Sequence, residues 1–568
     1  MEKLKHEHHK RGGQTATVDM TDIERIYLGG PIITVNQTDE VVEALASAGE
    51  TIVALGGEAE IRGLAGEGTE IIDLQGKALL PGFIDPHSHF PGSGRYGIEF
   101  VDLNSPPIGT MTCMADIIAA LRAQAGEKPA GAWVIGRGYD DTLLRENRHP
   151  DRWDLDKVSQ EHPVFVSHIS GHLGSGNSLA LEIGGVTVET RDPPGGVIRH
   201  HKQTGEPSGV FEEPAAMDLV RGKVPPGDLE HELKVIEAAS RDYLSQGVTS
   251  AQNAATDKHQ MRMLQEASAR GLLPLRLLGF PNWDYALEIS EGTAAFDLVA
   301  GHAIGRGAAK LFQDGSIQGY TGYLSKPYHI PFEGDESYRG YAIFPRQRLL
   351  EIVADLHRQG WQVAIHGNGD AAIDDILDAF EAAQQSHPRP DPRHVIVHSQ
   401  MAREDQLDRM AKLGVIPSFF SLHTYYWGDR HRDIFMGPER ARRISPARSA
   451  QDRGMHFTIH CDTPVVPQTP LLLVWAAVNR RTVNGAELGP EQCISAARAL
   501  RAATIEGAYQ SFEDEIKGSL EPGKLADMVI LSGDPLADPG AIRELVVEET
   551  IIGGKTVYRA SCPESIAP

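Results

Sequence analysis

The feature that most constrains the fold is a regular alternation of short apolar runs with longer helical stretches along the middle of the chain. Eight of the runs have the length and composition of strands, at residues 79–84, 248–252, 274–279, 308–312, 362–365, 394–397, 415–419 and 455–459. Strands that alternate with helices are typical of βα units around a parallel sheet. The pattern therefore predicts an α/β fold, a TIM-like (β/α)8 barrel over residues 79–511.

The spacing of the strands breaks once, after the first of them. Roughly 160 residues separate the first predicted strand from the second, far more than one crossover connection needs. We therefore predict a subdomain inserted after the first strand, at about residues 91–240. The Pro/Gly-rich stretch at 192–196 fits a loop within this insert.

Both ends of the chain have a different sequence pattern from the middle. Short β-rich runs separated by Gly-containing turns occupy residues 25–56 and return at 527–531 and 546–558. We predict that residues 21–78 and 512–568 together form one small sheet domain. Residues 1–20 are polar and predict a disordered arm, in which His6, His8 and His9 are solvated.

Composition excludes several classes of protein. Hydrophobic residues make up 41% and charged residues 23%, as in globular proteins, and no apolar run reaches the roughly 18 residues of a membrane span. The net charge of −24 disfavours nucleic acid and anionic membranes as partners. The opening residues lack the apolar segment of an export signal. Four scattered cysteines are too few for a disulfide-dense scaffold (Cys113, Cys461, Cys493 and Cys562). A cytoplasmic enzyme with a small-molecule substrate is the expectation.

The first predicted strand ends in a histidine pair, His87 and His89. Residues i and i+2 of an extended segment face the same way, so both imidazoles can reach one metal ion. Neutral imidazole is the commonest protein ligand for metals. Two surface histidines in a loop are the alternative for this short motif taken alone.

Three further strand ends carry metal-ligating residue types: His366, His398 and Asp462. The carboxyl ends of all barrel strands meet at one face, where the active site of such a fold lies. One more strand ends near Lys310, which periodicity alone would explain as a lysine that is paired with Asp314 or exposed at the rim of the sheet.

Taken together, these motifs resemble the amidohydrolase superfamily, and in detail amidohydrolase family 3, which includes N-substituted formamide deformylases. The resemblance covers roughly residues 22–560. The stretches that carry it are 81–89, 310–316, 365–372, 397–400 and 517–527, with 136–140, 171–172 and 177–181 in the insert.

The resemblance implies a TIM-like barrel beside a urease-type β-sandwich, and a divalent metal site of one or two ions. Nitrogen and oxygen donors without thiolate suit zinc first. Lys310 would carry a carbamate formed from CO2 that bridges two ions. The implied ligands are His87, His89, Lys310, His366, His398 and Asp462.

The activity that the resemblance implies is hydrolysis of an amide-type C–N bond in an amide, N-acyl or N-formyl substrate by metal-activated hydroxide. Asp462 would be the general base and then the general acid. His398, or a second metal ion, would polarise the scissile carbonyl.

Expected substrate contacts come from the insert and from the loops above the barrel. His172, Tyr139 and Asp140 match motifs of the family. His460 departs from the family, which usually has a small residue near this position; it is a candidate substrate contact, extra ligand or packing residue. The aromatic residues at 419–427 either line an apolar substrate pocket or pack under the barrel rim.

Two other functions stay open at this point. The same ligand set could serve a metal-dependent decarboxylase, and a hydrolase scaffold could serve a non-catalytic regulatory or binding protein. The filled ligand positions disfavour the second of these. The substrate is undecided among amides, formamides and cyclic imides, and a homodimer is possible for a barrel of this size.

Overall fold

The structure, a computed structural model, describes residues 23–296 and 304–560. The predicted arm at residues 1–20 and Cys562 lie outside the described residues. The other three cysteines are free thiols. No helix in the described ranges is both long enough and apolar enough to cross a bilayer.

The two ends of the chain form one eight-stranded sheet, which we call the terminal sheet. The strand Ala78–Pro81 lies near its centre, antiparallel to Met528–Leu531 from the other end of the chain, with Leu79 opposite Ile530. The remaining strands are Arg25–Ile33, Val41–Ala48, Thr51–Gly56, Glu70–Asp73, Val547–Ile552 and Lys555–Arg559. The apolar runs predicted at both ends therefore meet in a single sheet.

The first predicted strand is in fact two strands that belong to different sheets. Ala78–Pro81 lies in the terminal sheet, whereas Phe83–Ile84 pairs in parallel with Val248–Thr256. The chain changes sheets at Gly82, where a Cβ atom would lie 2.2 Å from Thr249 Cγ2. Only glycine permits this close approach, because every other residue would clash with the neighbouring strand.

The insert has a six-stranded sheet of its own, which we call the insert sheet. Its strands are Phe100–Asp102, Val134–Tyr139, Val164–His168, Leu173–Gly176, Val197–His200 and Pro207–Glu212. Four helices accompany them: Met114–Glu127, Arg152–Asp156, Ser178–Gly184 and Glu213–Arg221.

The middle of the chain forms two all-parallel sheets. One contains Phe83–Ile84, Val248–Thr256, Arg276–Pro281 and Ile304–Arg306, and the other contains Ala309–Phe312, Val363–Gly367, Val395–His398, Ile416–Phe419 and Thr458–Ile459. Eight of these nine segments correspond to the eight predicted strands. The ninth, Ile304–Arg306, is a short strand immediately before Ala309–Phe312. The eighth predicted strand is reduced to two residues, Thr458–Ile459.

Backbone contacts join the two parallel sheets at both of their edges. At one edge Asn282 and Lys310 form an isolated parallel bridge. At the other edge the Asp462 N–H donates to the His87 carbonyl at 3.2 Å, and the His89 N–H donates to the Thr463 carbonyl at 2.8 Å. The strand ends that carry the histidine pair and Asp462 are therefore fixed next to each other.

Helices cover the parallel strands on the outside and complete the α/β pattern. The helix Asp370–Ser386 shows why: Ile373, Ile376, Leu377 and Phe380 recur at helical spacing and are fully buried. Burial of each such side chain contributes roughly 1.5–3 kcal/mol. The other helices of this region are Leu229–Ser245, Lys258–Ala269, Trp283–Glu291, Arg346–Arg358, Glu404–Leu413, Leu422–Arg430, Gly437–Ala441, Ala447–Asp452, Pro470–Asn479, Ala496–Ala502 and Ile505–Gln510. A short helix at Glu58–Arg62 accompanies the terminal sheet.

Candidate metal centre

The carboxyl ends of the parallel strands bring four of the predicted ligands together. The His87 ring centroid lies 5.4 Å from that of His89 and 5.5 Å from that of His398. The His366 and His398 centroids are 4.6 Å apart. His87, His366 and His398 are buried, and His89 is about one-third exposed. This polar cluster therefore lies inside the protein, with His89 on its open side.

Asp462 is at the centre of the cluster. Its Oδ1 atom lies 3.3 Å from His87 Nε2 and 3.4 Å from His89 Nε2, and its Oδ2 atom lies 3.9 Å from His398 Nε2. Oδ1 is buried and has no hydrogen-bond partner among the described residues. Two ligand atoms on a tetrahedral zinc ion, each at 2.0–2.1 Å, lie about 3.4 Å apart. The three Nε2 atoms and the carboxylate therefore have the spacing and chemistry that a divalent cation requires.

The electrostatics of the cluster keep His87 neutral and the Asp462 carboxylate charged. Burial, with the neighbouring Lys310, holds the pKa of His87 well below its usual range. Burial opposes the ionisation of Asp462, but His87, His89 and His398 outweigh it and hold its pKa well below the usual range. Neutral imidazole and ionised carboxylate are the forms that bind metals.

Two residues of the cluster have unusual backbone conformations. His398 has φ 69° and Asp462 has φ 57°, both in the left-handed region that side chains with a Cβ atom rarely adopt. Each such residue costs of order 1–3 kcal/mol, and such residues concentrate at functional sites. The surrounding packing thus holds both side chains at the strand ends at a cost in stability.

Lys310 lies on the strand Ala309–Phe312 and is completely buried. Its Nζ atom has no hydrogen-bond partner within the described ranges and lies 4.7 Å from the centroid of the Phe312 ring. Burial lowers the pKa of Lys310 to about 7, although Asp462 opposes the shift. The structure therefore contradicts the placement of Lys310 at the rim of the sheet, paired with Asp314, which periodicity alone favours.

Asp314 instead supports His366. One carboxylate oxygen of Asp314 lies 3.2 Å from His366 Nδ1 and accepts the Asn368 backbone N–H, while the other accepts the N–H groups of Gly369 and Tyr323. A carboxylate on Nδ1 fixes the proton there and leaves the Nε2 lone pair for a cation. Asp314 is therefore a positioning residue that the strand-end pattern does not reveal.

His460 is buried beside the cluster without pointing a nitrogen into it. Its Nε2 atom lies 3.1 Å from His398 Nδ1, and its Nδ1 atom lies 2.9 Å from Ser418 Oγ. Both ring nitrogens are thereby occupied. Burial lowers the pKa of His460 to about 3, so the ring is neutral.

His172, from the insert, reaches the same cluster. Its ring centroid lies 4.9 Å from that of His366, and its Nδ1 atom lies 2.7 Å from Glu213 Oε2. Burial works against protonation, but Glu213 outweighs it and raises the pKa of His172. Glu213 is fully buried and has φ 62°, another left-handed residue. The insert therefore contributes a buried His–Glu pair beside the predicted metal ligands.

Tyr139 and Asp140 are buried in contacts that hold the insert in place. The Tyr139 hydroxyl lies 3.2 Å from His149 Nδ1. Asp140 accepts hydrogen bonds from Trp427 Nε1 at 3.1 Å and from Arg430 Nη1 at 2.6 Å. Both donors lie on the helix Leu422–Arg430, so Asp140 ties the insert to the segment after the seventh strand.

A second group of possible ligands, Asp140, Asp141 and His168, lies within the insert. The Ser170 N–H donates to His168 Nδ1 at 3.2 Å, which places the imidazole proton on Nε2, 3.2 Å from Asp141 Oδ1. A protonated nitrogen is not a metal ligand. In this tautomer His168 Nε2 is not a metal ligand, and neither it nor Asp141 Oδ1 has a hydrogen-bond partner among the described residues.

The aromatic segment at 419–427 packs mainly inward. Phe419, Phe420 and Trp427 are buried, whereas Tyr425 and Tyr426 are partly exposed. The His423 ring centroid lies 6.0 Å from that of His398. Packing under the rim, one of the two interpretations open from the sequence, accounts for most of these aromatic side chains.

Comparison with known proteins agrees with this geometry. The sequence profile of an amidohydrolase family (Amidohydro_3) matches residues 70–558. The chain belongs to the amidohydrolase family. The family assignment made from the sequence motifs is thus confirmed.

Individual relatives of this amidohydrolase align along nearly their whole length. The N-substituted formamide deformylase of Arthrobacter pascens is 29% identical over 92% of this chain and 96% of its own. Protein LONG AFTER FAR-RED 3 of Arabidopsis thaliana is 28% identical over 93% of this chain and 90% of its own. The crystal structure of an uncharacterized metal-dependent hydrolase from Pyrococcus horikoshii OT3 superposes with a TM-score of 0.72 at 25% identity, over 91% of this chain and 99% of that chain. These likenesses support a hydrolase that uses a divalent metal.

Proposed function

We propose that this amidohydrolase is a metal-dependent hydrolase that cleaves an amide-type C–N bond, with an N-formyl or other N-acyl amine as substrate. The observation that carries the proposal is the arrangement of His87, His89 and His398 around the unpartnered Oδ1 side of Asp462. When bound there, a divalent cation would supply Lewis acidity toward a water molecule and a carbonyl oxygen. The name of the Arthrobacter relative supports the choice of substrate class.

The residues of the cluster have two tasks in this reaction, metal binding and proton transfer. His87, His89, His398 and Asp462 would hold the cation, and His366, whose ring centroid lies 4.6 Å from that of His398, would be available to a second one. Asp462 accepts a proton from the attacking water and transfers it to the leaving nitrogen. Water therefore adds to the carbonyl carbon, the C–N bond breaks, and a carboxylic acid and an amine result.

We propose zinc as the first candidate metal, because the donors are imidazole and carboxylate without thiolate. We also propose that Lys310 carries a carbamate that bridges two ions. Its burial beside the cluster and a pKa of about 7 make a neutral, nucleophilic amine available to CO2 at physiological pH. The carbamate oxygens would be metal ligands at the end of a side chain whose Nζ atom otherwise has no hydrogen-bond partner among the described residues.

We propose that the two parallel sheets form one closed barrel and that the insert lies over its active site. The bridge at Asn282 and Lys310, and the hydrogen bonds between the segments that follow Ile84 and Ile459, support closure of the two parallel sheets into one (β/α)8 barrel. We assign residues 82–511 to this barrel, about 91–240 to its insert, and the described residues 23–81 and 512–560 to a separate β domain, because the strand Ala78–Pro81, which the sequence placed in the barrel, lies in the terminal sheet. The His172–Glu213 pair supports a role for the insert in substrate binding.

A substrate panel tests the function. Metal-free protein is reconstituted with Zn²⁺ and bicarbonate and is offered N-formyl amines, N-acyl amines, cyclic imides and carboxylated aromatic compounds. Release of formate or another acid with the free amine is the expected product pattern. Release of CO2 from the carboxylated compounds alone would replace the proposal with a decarboxylase, and no turnover by metal-loaded protein would favour a non-catalytic role.

A further inference from the structure

His172 and Glu213, both from the insert, are joined by two hydrogen bonds. The Glu213 backbone N–H donates to the His172 carbonyl at 2.7 Å, and the His172 Nδ1 atom lies 2.7 Å from Glu213 Oε2. The two residues adjoin the ends of the antiparallel strands Leu173–Gly176 and Pro207–Glu212, which pair directly with each other. The backbone of the insert sheet therefore holds both members of the pair in position.

The loop that follows Asp314 closes around the Glu213 side chain. Glu213 is fully buried, and its Oε1 atom has no hydrogen-bond partner among the described residues. A Cβ atom at Gly315 would lie 2.0 Å from this Oε1 atom and 1.9 Å from Thr321 Oγ1, closer than real Cβ contacts allow. Because only glycine permits this approach, the loop packs tightly against the carboxylate oxygen that does not contact His172.

The same pairing leaves one nitrogen of His172 available. An ionised carboxylate only accepts, so the ring donates to Glu213 from Nδ1, and Nε2 is left for another partner. No described residue hydrogen-bonds Nε2, and the His172 side chain keeps 10% of its surface exposed. The His172 ring centroid lies 4.9 Å from that of the predicted ligand His366. Nε2 is therefore available to a molecule bound beside the cluster.

The position of His172 favours substrate over metal as that partner. The metal-binding atoms of His87, His398 and Asp462 all lie within 4.8 Å of one another, and His172 is not part of that group. It also reaches the site from the insert, whereas the predicted histidine ligands lie at or just beyond the ends of the parallel strands. A bound substrate must place its amide group next to the metal, and a secondary amide offers both an N–H donor and a carbonyl acceptor to a ring nitrogen.

We propose that His172 is a substrate-contact residue that hydrogen-bonds the amide group of the substrate through Nε2, and that Glu213 is the positioning residue that aims it. This inference rests on the proposed function, because the amide group is that of the proposed substrate. It gives the insert a defined task, recognition of the amide that is cleaved. It also places that contribution on the His366 side of the cluster.

Steady-state kinetics of the zinc-loaded, full-length protein test the proposal, with the N-formyl or N-acyl amine that wild type hydrolyses fastest as substrate. His172→Phe should raise KM about 3- to 10-fold, the contribution of one hydrogen bond, and should change kcat much less. Glu213→Leu should raise KM to a similar extent. Glu213→Gln should keep a KM near that of wild type, since its amide oxygen can still accept from Nδ1 of His172.

Two controls separate positioning from folding. In the His172→Phe background, Glu213→Leu should add no further increase in KM, because Glu213 acts only through His172. His162→Phe alters another buried histidine of the insert, whose Nδ1 atom lies 2.8 Å from the Ala132 carbonyl, and should leave KM unchanged. Circular dichroism verifies the fold of each variant, and His172→Leu replaces His172→Phe if the larger ring does not fit.

Zinc affinity, measured by competition with a chromophoric chelator, should be the same in wild type and His172→Phe. A large loss of affinity would make His172 a metal ligand and overturn the inference. A wild-type KM in folded His172→Phe, or additive effects of the two substitutions, would overturn it as well, and in each case the proposed function would stand. Failure of zinc-loaded wild type to hydrolyse any amide of the panel would overturn the proposed function and this inference together.

Discussion

Replacing Lys310 by methionine should stabilise the metal-free protein, although it should abolish the assembled metal centre. Nζ of Lys310 is fully buried without a hydrogen-bond partner in the described part of the chain, and methionine fills a similar volume without a polar end. Burial lowers the pKa from 10.5 to about 7. At about 1.4 kcal/mol per pH unit, this shift destabilises the folded protein by roughly 4 kcal/mol at pH 7.

The sign of the pH dependence follows from the same shift. Between pH 7 and 10.5 the unfolded chain binds a proton at Lys310 that the folded chain does not. Because of Lys310, the free energy of unfolding of metal-free wild type therefore increases as pH rises from 7 to 10.5. Lys310→Met lacks this contribution. The difference between the two proteins should be largest at or below pH 7 and should vanish near pH 10.5.

The assay is urea denaturation of chelator-treated wild type and Lys310→Met between pH 6 and 10, followed by tryptophan fluorescence. Addition of Zn²⁺ and bicarbonate should reverse the order, because only wild type has the amine from which the proposed carbamate would form. A metal-free Lys310→Met protein that unfolds at lower urea than wild type, with an unchanged pH slope, would refute this reasoning.

Three other outcomes follow from the structure. Asp462→Asn should lower kcat at least about 100-fold, the lower end of general acid–base contributions, with metal retained in elemental analysis; a near-normal kcat would exclude the proton-transfer role. His87→Ala should lose most of its metal with its circular dichroism spectrum unchanged, and full metal retention would contradict the ligand assignment. His394 and His357, buried 2.9 Å apart between Nε2 and Nδ1, have their pKa values lowered chiefly by burial, so stability should fall as pH drops below about 6.5. His394→Phe should reduce that fall in acid-denaturation curves, and an unchanged acid limb would speak against the pair as its origin.

The parallel strands and the histidines at their ends could be predicted from the sequence because both depend on local patterns. Val363–Gly367 and Val395–His398 are buried along their whole length, so they read as continuous apolar runs, each with a histidine at its end. The position of His366 and His398 at one edge then follows from the geometry of parallel strands.

Other parts of the molecule depend on contacts between distant residues and leave no local signal. Asp314 supports His366 across 52 positions, and Glu213 reaches His172 through a backbone turn with positive φ. The split of the first strand at Gly82 reflects the close approach of Thr249, more than 160 positions later. The buried contacts of Asp140 likewise depend on Trp427 and Arg430, which no motif connects to it.

The central place of Ala78–Pro81 in the terminal sheet has a consequence for biosynthesis. This strand immediately precedes the segment that bears His87 and His89, but its neighbour Met528–Leu531 leaves the ribosome more than 440 residues later. The nascent polypeptide therefore carries these two histidines for a long stretch of translation without the neighbouring strand of the terminal sheet. A truncated product that ends before residue 528 should consequently lack this brace for the proposed metal centre.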